Sequence, residues 1–113
     1  TLAEEHPGRL ASQHALAGAY QSDGQIKKAV ALLEHVVAVK ERTRAEEHPD
    51  RLASQHNLAI AYQADGQMPQ AVELLKHIVA VESRTLPEDH LDRLASVLAL
   101  VNVLEVASHR LTP

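Results

Sequence analysis

The sequence repeats with a period of 42 residues, and this is its most constraining feature. His6 recurs as His48 and again as His90. Residues 1–42 and 43–84 are identical at 29 of their 42 aligned positions. A fixed period of this length is typical of arrays in which each unit packs only on its neighbours. We therefore predict two full repeats over these two ranges.

A third copy begins at Thr85 and departs from the pattern after Leu100. The first two copies read Tyr-Gln-x-Asp-Gly in the middle of the unit, whereas the third reads Leu-Glu-Val-Ala-Ser from Leu104. Residues 85–113 are therefore predicted to form a partial, divergent third repeat that contains only its first helix.

Each full copy is predicted to contain two helices, which we call helix A and helix B. In the second copy Pro49 suits the first helical position, and Gly66 suits the left-handed turn that ends helix A. Helix B should begin near Gln67. The acidic segments 43–48 and 85–90 are predicted to be loops. The predicted fold is all-α, an α-solenoid of antiparallel helix pairs with about five helices.

Composition excludes several functional classes. The chain has no Cys, which excludes disulfide scaffolds and thiolate chemistry. Its net charge of -4 and its two Tyr argue against a nucleic-acid partner, because phosphate binding needs a basic surface and base stacking needs rings. No segment is long and apolar enough for a membrane span, and the acidic start lacks the plan of a signal peptide. We expect an intracellular, cytoplasmic protein without cofactors.

The unit resembles a tetratricopeptide repeat, which has a large and a small apolar residue, a Tyr, a turn Gly and an Ala that opens helix B. In the first copy these positions are Leu16, Ala17, Tyr20, Gly24 and Ala29, with Leu33 following in helix B, and in the second they are Leu58, Ala59, Tyr62, Gly66 and Ala71, with Leu75 following.

The usual period of that family is about 34 residues, so 42 is a departure. A longer loop with Glu-His-Pro-Asp at 47–50 resembles the kinesin-light-chain type. Near-identical tandem copies also resemble the repeat regions of fungal NOD-like receptors. The resemblance implies a protein-interaction module without catalytic activity, within a larger sensor or adaptor.

Differences between the copies suggest where a partner binds. In helix A they fall at 15/57, 18/60 and 22/64, which share one helical face, while shared residues such as Leu16 are predicted to lie on core faces. The resemblance places helix A on a concave, partner-binding surface. The predicted surface residues are His14, Ala15, Gly18, Gln21, Ser22, His56, Asn57, Ile60, Gln63, Ala64, Asn102 and Glu105. Neutral drift on a solvated face is the alternative.

Seven of the eight His recur with the period, and no two lie three or four residues apart as helical metal pairs do. We therefore predict no metal site, and we expect His48 to shape the start of helix A. No phosphate loop or nucleophile motif occurs, so the chain is predicted not to be an enzyme.

The helix of the third copy is apolar on nearly all sides over residues 91–107. An exposed apolar patch of this size usually marks an interface. The array could continue beyond this helix, or another copy of the chain could cover it. The second explanation predicts a homo-oligomer, and with it an alternative function as a structural spacer or self-assembly element. The residues predicted to self-associate are Leu94, Val97, Leu98, Val101 and Leu104.

Overall fold

A computed structural model describes residues 6–111 of the chain, with side chains as far as His109. The described part contains five α-helices and no strand. They are α1 (Pro7–Ser22), α2 (Ile26–Thr43), α3 (Pro49–Ala64), α4 (Met68–Thr85) and α5 (Leu91–Leu111). Helices α1, α3 and α5 correspond to helix A, and α2 and α4 to helix B. The predicted all-α fold is confirmed.

Each helix packs mainly against the next one along the chain. The molecule is elongated and flat, with extents of 48 × 36 × 19 Å. Short connections between consecutive packed helices make neighbours antiparallel, and successive pairs stack into an α-solenoid.

Each helix A begins with a histidine cap. The Nδ1 atoms of His6, His48 and His90 accept hydrogen bonds from the backbone N–H two residues later, at 3.0, 3.1 and 3.1 Å. These bonds satisfy one of the free N–H groups that every helix start exposes. The prediction that His48 shapes the entrance of helix A is confirmed, and the histidine period has a structural cause.

Helix A of each full copy is followed by a turn that contains a glycine in the left-handed conformation. Gly24 and Gly66 both have φ of 77°, a region that glycine adopts without steric cost. After α3 the backbone N–H of Gln67 donates to Tyr62 O at 2.8 Å, and that of Gly66 donates to Gln63 O at 3.1 Å. This pair of bonds is the Schellman motif. Helix B then begins at Met68, as the sequence predicts to within a residue.

The loops between copies begin one residue later than predicted. Thr43 and Thr85 belong to α2 and α4. Their hydroxyls donate to the carbonyls of Val39 and Val81, each at 2.9 Å, and so extend the last helical turn.

The core is formed by small and aliphatic side chains between successive helices. The larger cluster joins α3, α4 and α5 and contains Leu52, Ala59, Met68, Ala71, Leu75, Ile78, Val81 and Val103. A second cluster joins α1, α2 and α3 and contains Ala17, Val30, Leu33, Val37, Leu58 and Ala61.

The expectation that Leu16 lies in the core is wrong. Leu16 is 45% exposed, whereas Leu58, its equivalent in the second copy, is 4% exposed. Leu58 packs against α2, and no described helix precedes α1 to cover Leu16 in the same way. Identical residues at equivalent positions therefore differ in burial.

Candidate protein-binding groove

A groove lies between the two helices A of the full copies, α1 and α3. We call it the α1–α3 groove; its volume is about 340 Å³. Six predicted surface residues line it together with Ala17 and Leu33, namely His14, Ala15, Gly18, Gln21, Asn57 and Ile60. The structure thus brings together half of the residues proposed from the sequence.

A direct contact between Asn57 and His14 bridges this groove. Asn57 Nδ2 lies 2.5 Å from His14 Nε2. The amide donates to the ring nitrogen in the tautomer that has its proton on Nδ1. Ile60 and Gly18 are exposed beside this pair, and a Cβ added to Gly18 would meet no atom within 4 Å. The groove therefore has polar and apolar parts and open space above Gly18.

The other predicted surface residues do not line the α1–α3 groove. Ser22 and Ala64 are exposed at the ends of α1 and α3, and Gln63 is half-buried. Asn102 and Glu105 are exposed on α5.

The last of these predicted residues, His56, lines a second pocket with Asn57, between α3, the end of α4 and the start of α5. We call it the α3–α5 pocket, and its volume is also about 340 Å³. Its polar lining includes Glu82, Asp92 and Ser96, and its apolar lining includes Leu52, Ile78 and Ala95.

The interface between α2 and α3 contains a buried cation that the sequence analysis did not identify. Lys40 is 6% exposed, and its Nζ donates to Ser54 Oγ at 2.7 Å. Lys40 Nζ also lies 3.3 Å from Asp50 Oδ2, and Arg44 Nε lies 3.3 Å from the same oxygen. A buried ammonium needs such partners, and here it has both a hydroxyl and a carboxylate.

The next interface, between α4 and α5, has a carboxylate in place of this cation. Glu82 occupies the position equivalent to Lys40 and is 4% exposed. Its Oε1 is buried and has no hydrogen-bond partner among the described residues. Ser96 and Asp92 repeat the serine and aspartate of the earlier interface, but Leu86 replaces the arginine. The sequence shows this difference as a mismatch of opposite charge between Lys40 and Glu82, but a mismatch alone does not reveal that both side chains are buried.

A larger cleft, of about 580 Å³, lies between α2 and α4 and is also lined by residues of α3. Tyr62 and Glu34 both line it, and the Tyr62 hydroxyl donates to Glu34 Oε2 at 2.7 Å. Burial raises the pKa of Tyr62 to about 12, with a further contribution from its hydrogen bond to Glu34 and from the charges of Glu34 and Glu41. Tyr62 therefore links neighbouring helices in addition to its role in packing.

The sequence profile of the tetratricopeptide repeat matches residues 8–82, about two thirds of the chain. The chain belongs to the tetratricopeptide repeat family. Such repeats generally mediate protein–protein interaction and are typically non-catalytic scaffolds. The resemblance stated from the sequence is confirmed at this level.

Two solved structures are similar to this tetratricopeptide chain. One is the crystal structure of nearly identical TPR-like repeats from a Podosopora anserina protein named as a putative kinesin light chain. Its sequence is 54% identical and its TM-score is 0.85, and the match covers 95% of this chain and 51% of that one. The other, a glutamine-to-methionine variant of those repeats, has 52% identity and a TM-score of 0.86 over 95% and 50%. This chain spans about half the length of both. The comparison with curated proteins gives no match.

Ion pairs tie successive parts of the tetratricopeptide array together. Lys27 Nζ lies 3.2 Å from Asp65 Oδ1, and Arg84 donates to Glu46 Oε1 at 2.8 Å. Hydrogen bonds from Gln67 and Lys27 lower the pKa of Asp65, and the Arg84 hydrogen bond lowers that of Glu46. Each pair joins residues 38 positions apart: the first links α2 of the first copy to the turn after α3, and the second links the loop before α3 to the end of α4 within the second copy.

Within residues 6–111 no three His, Asp or Glu side chains are arranged to hold a metal ion. None of the described tetratricopeptide helices is both long and apolar enough to cross a membrane.

Proposed function

We propose that this chain is a non-catalytic interaction module that binds a segment of a partner protein on the surface formed by its helices A. The α1–α3 groove is the proposed centre of that surface, on the concave side of the array. The observation that carries the proposal is the meeting, in one groove, of side chains from α1 and α3 at positions where the two copies differ.

The chemistry of the groove suits a peptide segment. Ala15 and Gly18 leave room for a main chain to approach, and Ile60 offers an exposed apolar contact. Gln21 and the Asn57–His14 pair supply hydrogen-bonding groups for a peptide backbone. A few apolar anchors surrounded by polar groups are typical of a binding site. The small volume favours a segment over a folded domain.

Selection of a peptide library on the wild-type chain tests this proposal. Peptides bound in the groove should lose at least about ten-fold in affinity for Asn57→Ala and for Ile60→Glu, because each change removes a central contact. Leu98→Glu, on an exposed position of α5, is the matched control and should bind normally. Peptides that bind all four proteins equally would contradict the proposal.

A second candidate function is self-assembly through α5, and a specific observation favours it. One helix exposes Leu91, Leu94, Val97, Leu98, Val101 and Leu104, with Leu91 and Leu98 at 80% and 68% exposure. Contiguous apolar surface of this kind is uncommon on a free monomer. We propose that it packs against a following helix of a longer array or against a second copy of the chain.

Sedimentation analysis at tens of micromolar distinguishes this function from peptide binding. Self-association through α5 should be lost in Leu98→Glu and kept in Ile60→Glu, the reverse of the pattern expected for peptide binding. A wild-type chain that sediments as a monomer would reject self-assembly.

For the whole protein we propose a cytoplasmic sensor or adaptor, of which residues 1–42, 43–84 and 85–113 are successive repeat units. This chain spans about half the length of the related repeat structure, which supports a longer array. Sequencing the parent gene tests this role. An ATPase module before the repeats would support the NOD-like receptor type, whereas a coiled coil would support the kinesin-light-chain type.

A further inference from the structure

The α4–α5 interface, which borders the α3–α5 pocket, has Glu82 at the position where the α2–α3 interface has Lys40. At the α2–α3 interface Lys40 supplies an ammonium to Asp50. At the α4–α5 interface Glu82 replaces that lysine, and it lines the pocket together with Asp92. The pair of opposite charges formed by Lys40 and Asp50 is thus replaced by two carboxylates, those of Glu82 and Asp92, while the surrounding helices keep the same order.

Glu82 is costly in this position unless a cation joins it. Its side chain lines the pocket although the residue is almost wholly buried, and Oε1 has no hydrogen-bond partner among the described residues. Removing an ionised carboxylate from water without a partner is strongly unfavourable, and an incoming positive charge offsets that cost. The residue therefore indicates the charge of a ligand.

We propose that the α3–α5 pocket binds the ammonium group of a lysine side chain from a partner segment. This inference rests on the proposed function, because that segment would lie on the same helix A surface. The ammonium takes the place that Lys40 Nζ holds one copy earlier, and its three N–H donors meet the carboxylates of Glu82 and Asp92 and the hydroxyl of Ser96. The apolar lining of the pocket covers the methylene stem of the lysine.

Lysine is favoured by the precedent within the chain. The ammonium of Lys40 already lies against a serine hydroxyl and an aspartate at positions equivalent to those of Ser96 and Asp92.

A titration with a minimal probe tests the pocket directly. Acetyl-Gly-Gly-Lys-Gly-Gly-amide is added to the full chain at pH 7 and low salt, and binding is followed by the NMR shifts of backbone amides around Glu82 and Ser96. The lysine peptide should bind about ten-fold more tightly than the same peptide with norleucine, because only the ammonium forms charge-assisted hydrogen bonds. Equal binding of the two peptides would overturn the proposal.

Two substitutions of Glu82 and one control complete the test. Glu82→Gln keeps the shape and should weaken the lysine peptide about ten-fold, whereas Glu73→Gln, on an exposed glutamate of α4, should leave it unchanged. Glu82→Lys should supply the missing ammonium internally and abolish binding, with circular dichroism used to verify the helical fold. Unchanged affinity in either Glu82 variant would overturn the lysine site.

The outcomes also separate this inference from the proposed function. Library peptides that require Ile60, but show no dependence on a lysine or on Glu82, would overturn the lysine site and leave the α1–α3 groove supported. A lysine-specific pocket combined with library peptides insensitive to Asn57→Ala and Ile60→Glu would support the lysine site and overturn the role of that groove.

Discussion

The Tyr62 hydroxyl donates a hydrogen bond to Glu34 Oε2 at 2.7 Å and so ties α3 of the second copy to α2 of the first. Its counterpart Tyr20 is placed differently, with Lys28 Nζ 5.6 Å from the centre of its ring. The same residue type at equivalent positions therefore makes different contacts.

Tyr62→Phe should lower the free energy of unfolding by about 1 kcal/mol, because the half-buried tyrosine loses its hydrogen bond to a carboxylate while the ring is kept. Tyr20→Phe is the matched control and should change it by less than about 0.5 kcal/mol. Urea unfolding followed by circular dichroism measures both. Equal losses would show that the Glu34 bond contributes nothing specific.

Stability should fall between pH 10 and 12 through Tyr62. The folded-state pKa is about 12 against an ordinary value of 10.0, so the folded chain holds this proton to a higher pH than the unfolded chain does. The contribution is complete below pH 10 and is lost as the pH rises through 12. Urea unfolding at several pH values in this range should show that the free energy of unfolding falls less with pH for Tyr62→Phe than for the wild type. Identical pH dependence would contradict the raised pKa.

Gly66→Ala should destabilise the chain by about 1–2 kcal/mol, because φ of 77° is unfavourable for a residue with a Cβ. No atom lies within 4 Å of the added Cβ, so backbone conformation alone sets the cost. Gly18→Ala is the control: it lies within α1 and also has open space, and it should stabilise the chain by up to about 1 kcal/mol. The midpoint temperature of thermal unfolding should fall for Gly66→Ala and rise for Gly18→Ala. A shift in the same direction for both would refute the left-handed conformation of Gly66.

Leu58→Ala should cost about 2–4 kcal/mol, as expected for a buried leucine whose removal leaves a cavity. Leu16→Ala, the equivalent change in the first copy, should cost less than about 1 kcal/mol because that side chain is nearly half exposed. Chemical denaturation of the two variants measures the difference. A similar cost at both positions would show that Leu16 is covered in solution, for example by another chain.

Much of the fold followed from local rules. The histidine before each helix A, the proline at its start in two copies and the glycine after its end each act through backbone groups within a few residues. Such signals are readable in the sequence because their physical cause is local. The candidate groove was predictable to the extent that helical periodicity places positions 15 and 18 on one face of α1 and positions 57 and 60 on the equivalent face of α3.

The functionally informative differences were not predictable in this way. Period and resemblance make Lys40 and Glu82 equivalent, yet one is a buried cation with hydrogen-bond partners and the other a buried carboxylate with an oxygen that no described residue hydrogen-bonds. Burial depends on which neighbouring helix covers a side chain.

The helix pairs, their caps and turns, and the order of the array can be predicted from the amino-acid sequence, because these depend on backbone preferences and on a repeated apolar pattern. The packing of the helices determines which copy of a repeated residue is covered, as Leu16 and Leu58 show, and which charges meet inside an interface. Desolvation and charge pairing depend on three-dimensional neighbours, and these differ between copies even where the residues are the same.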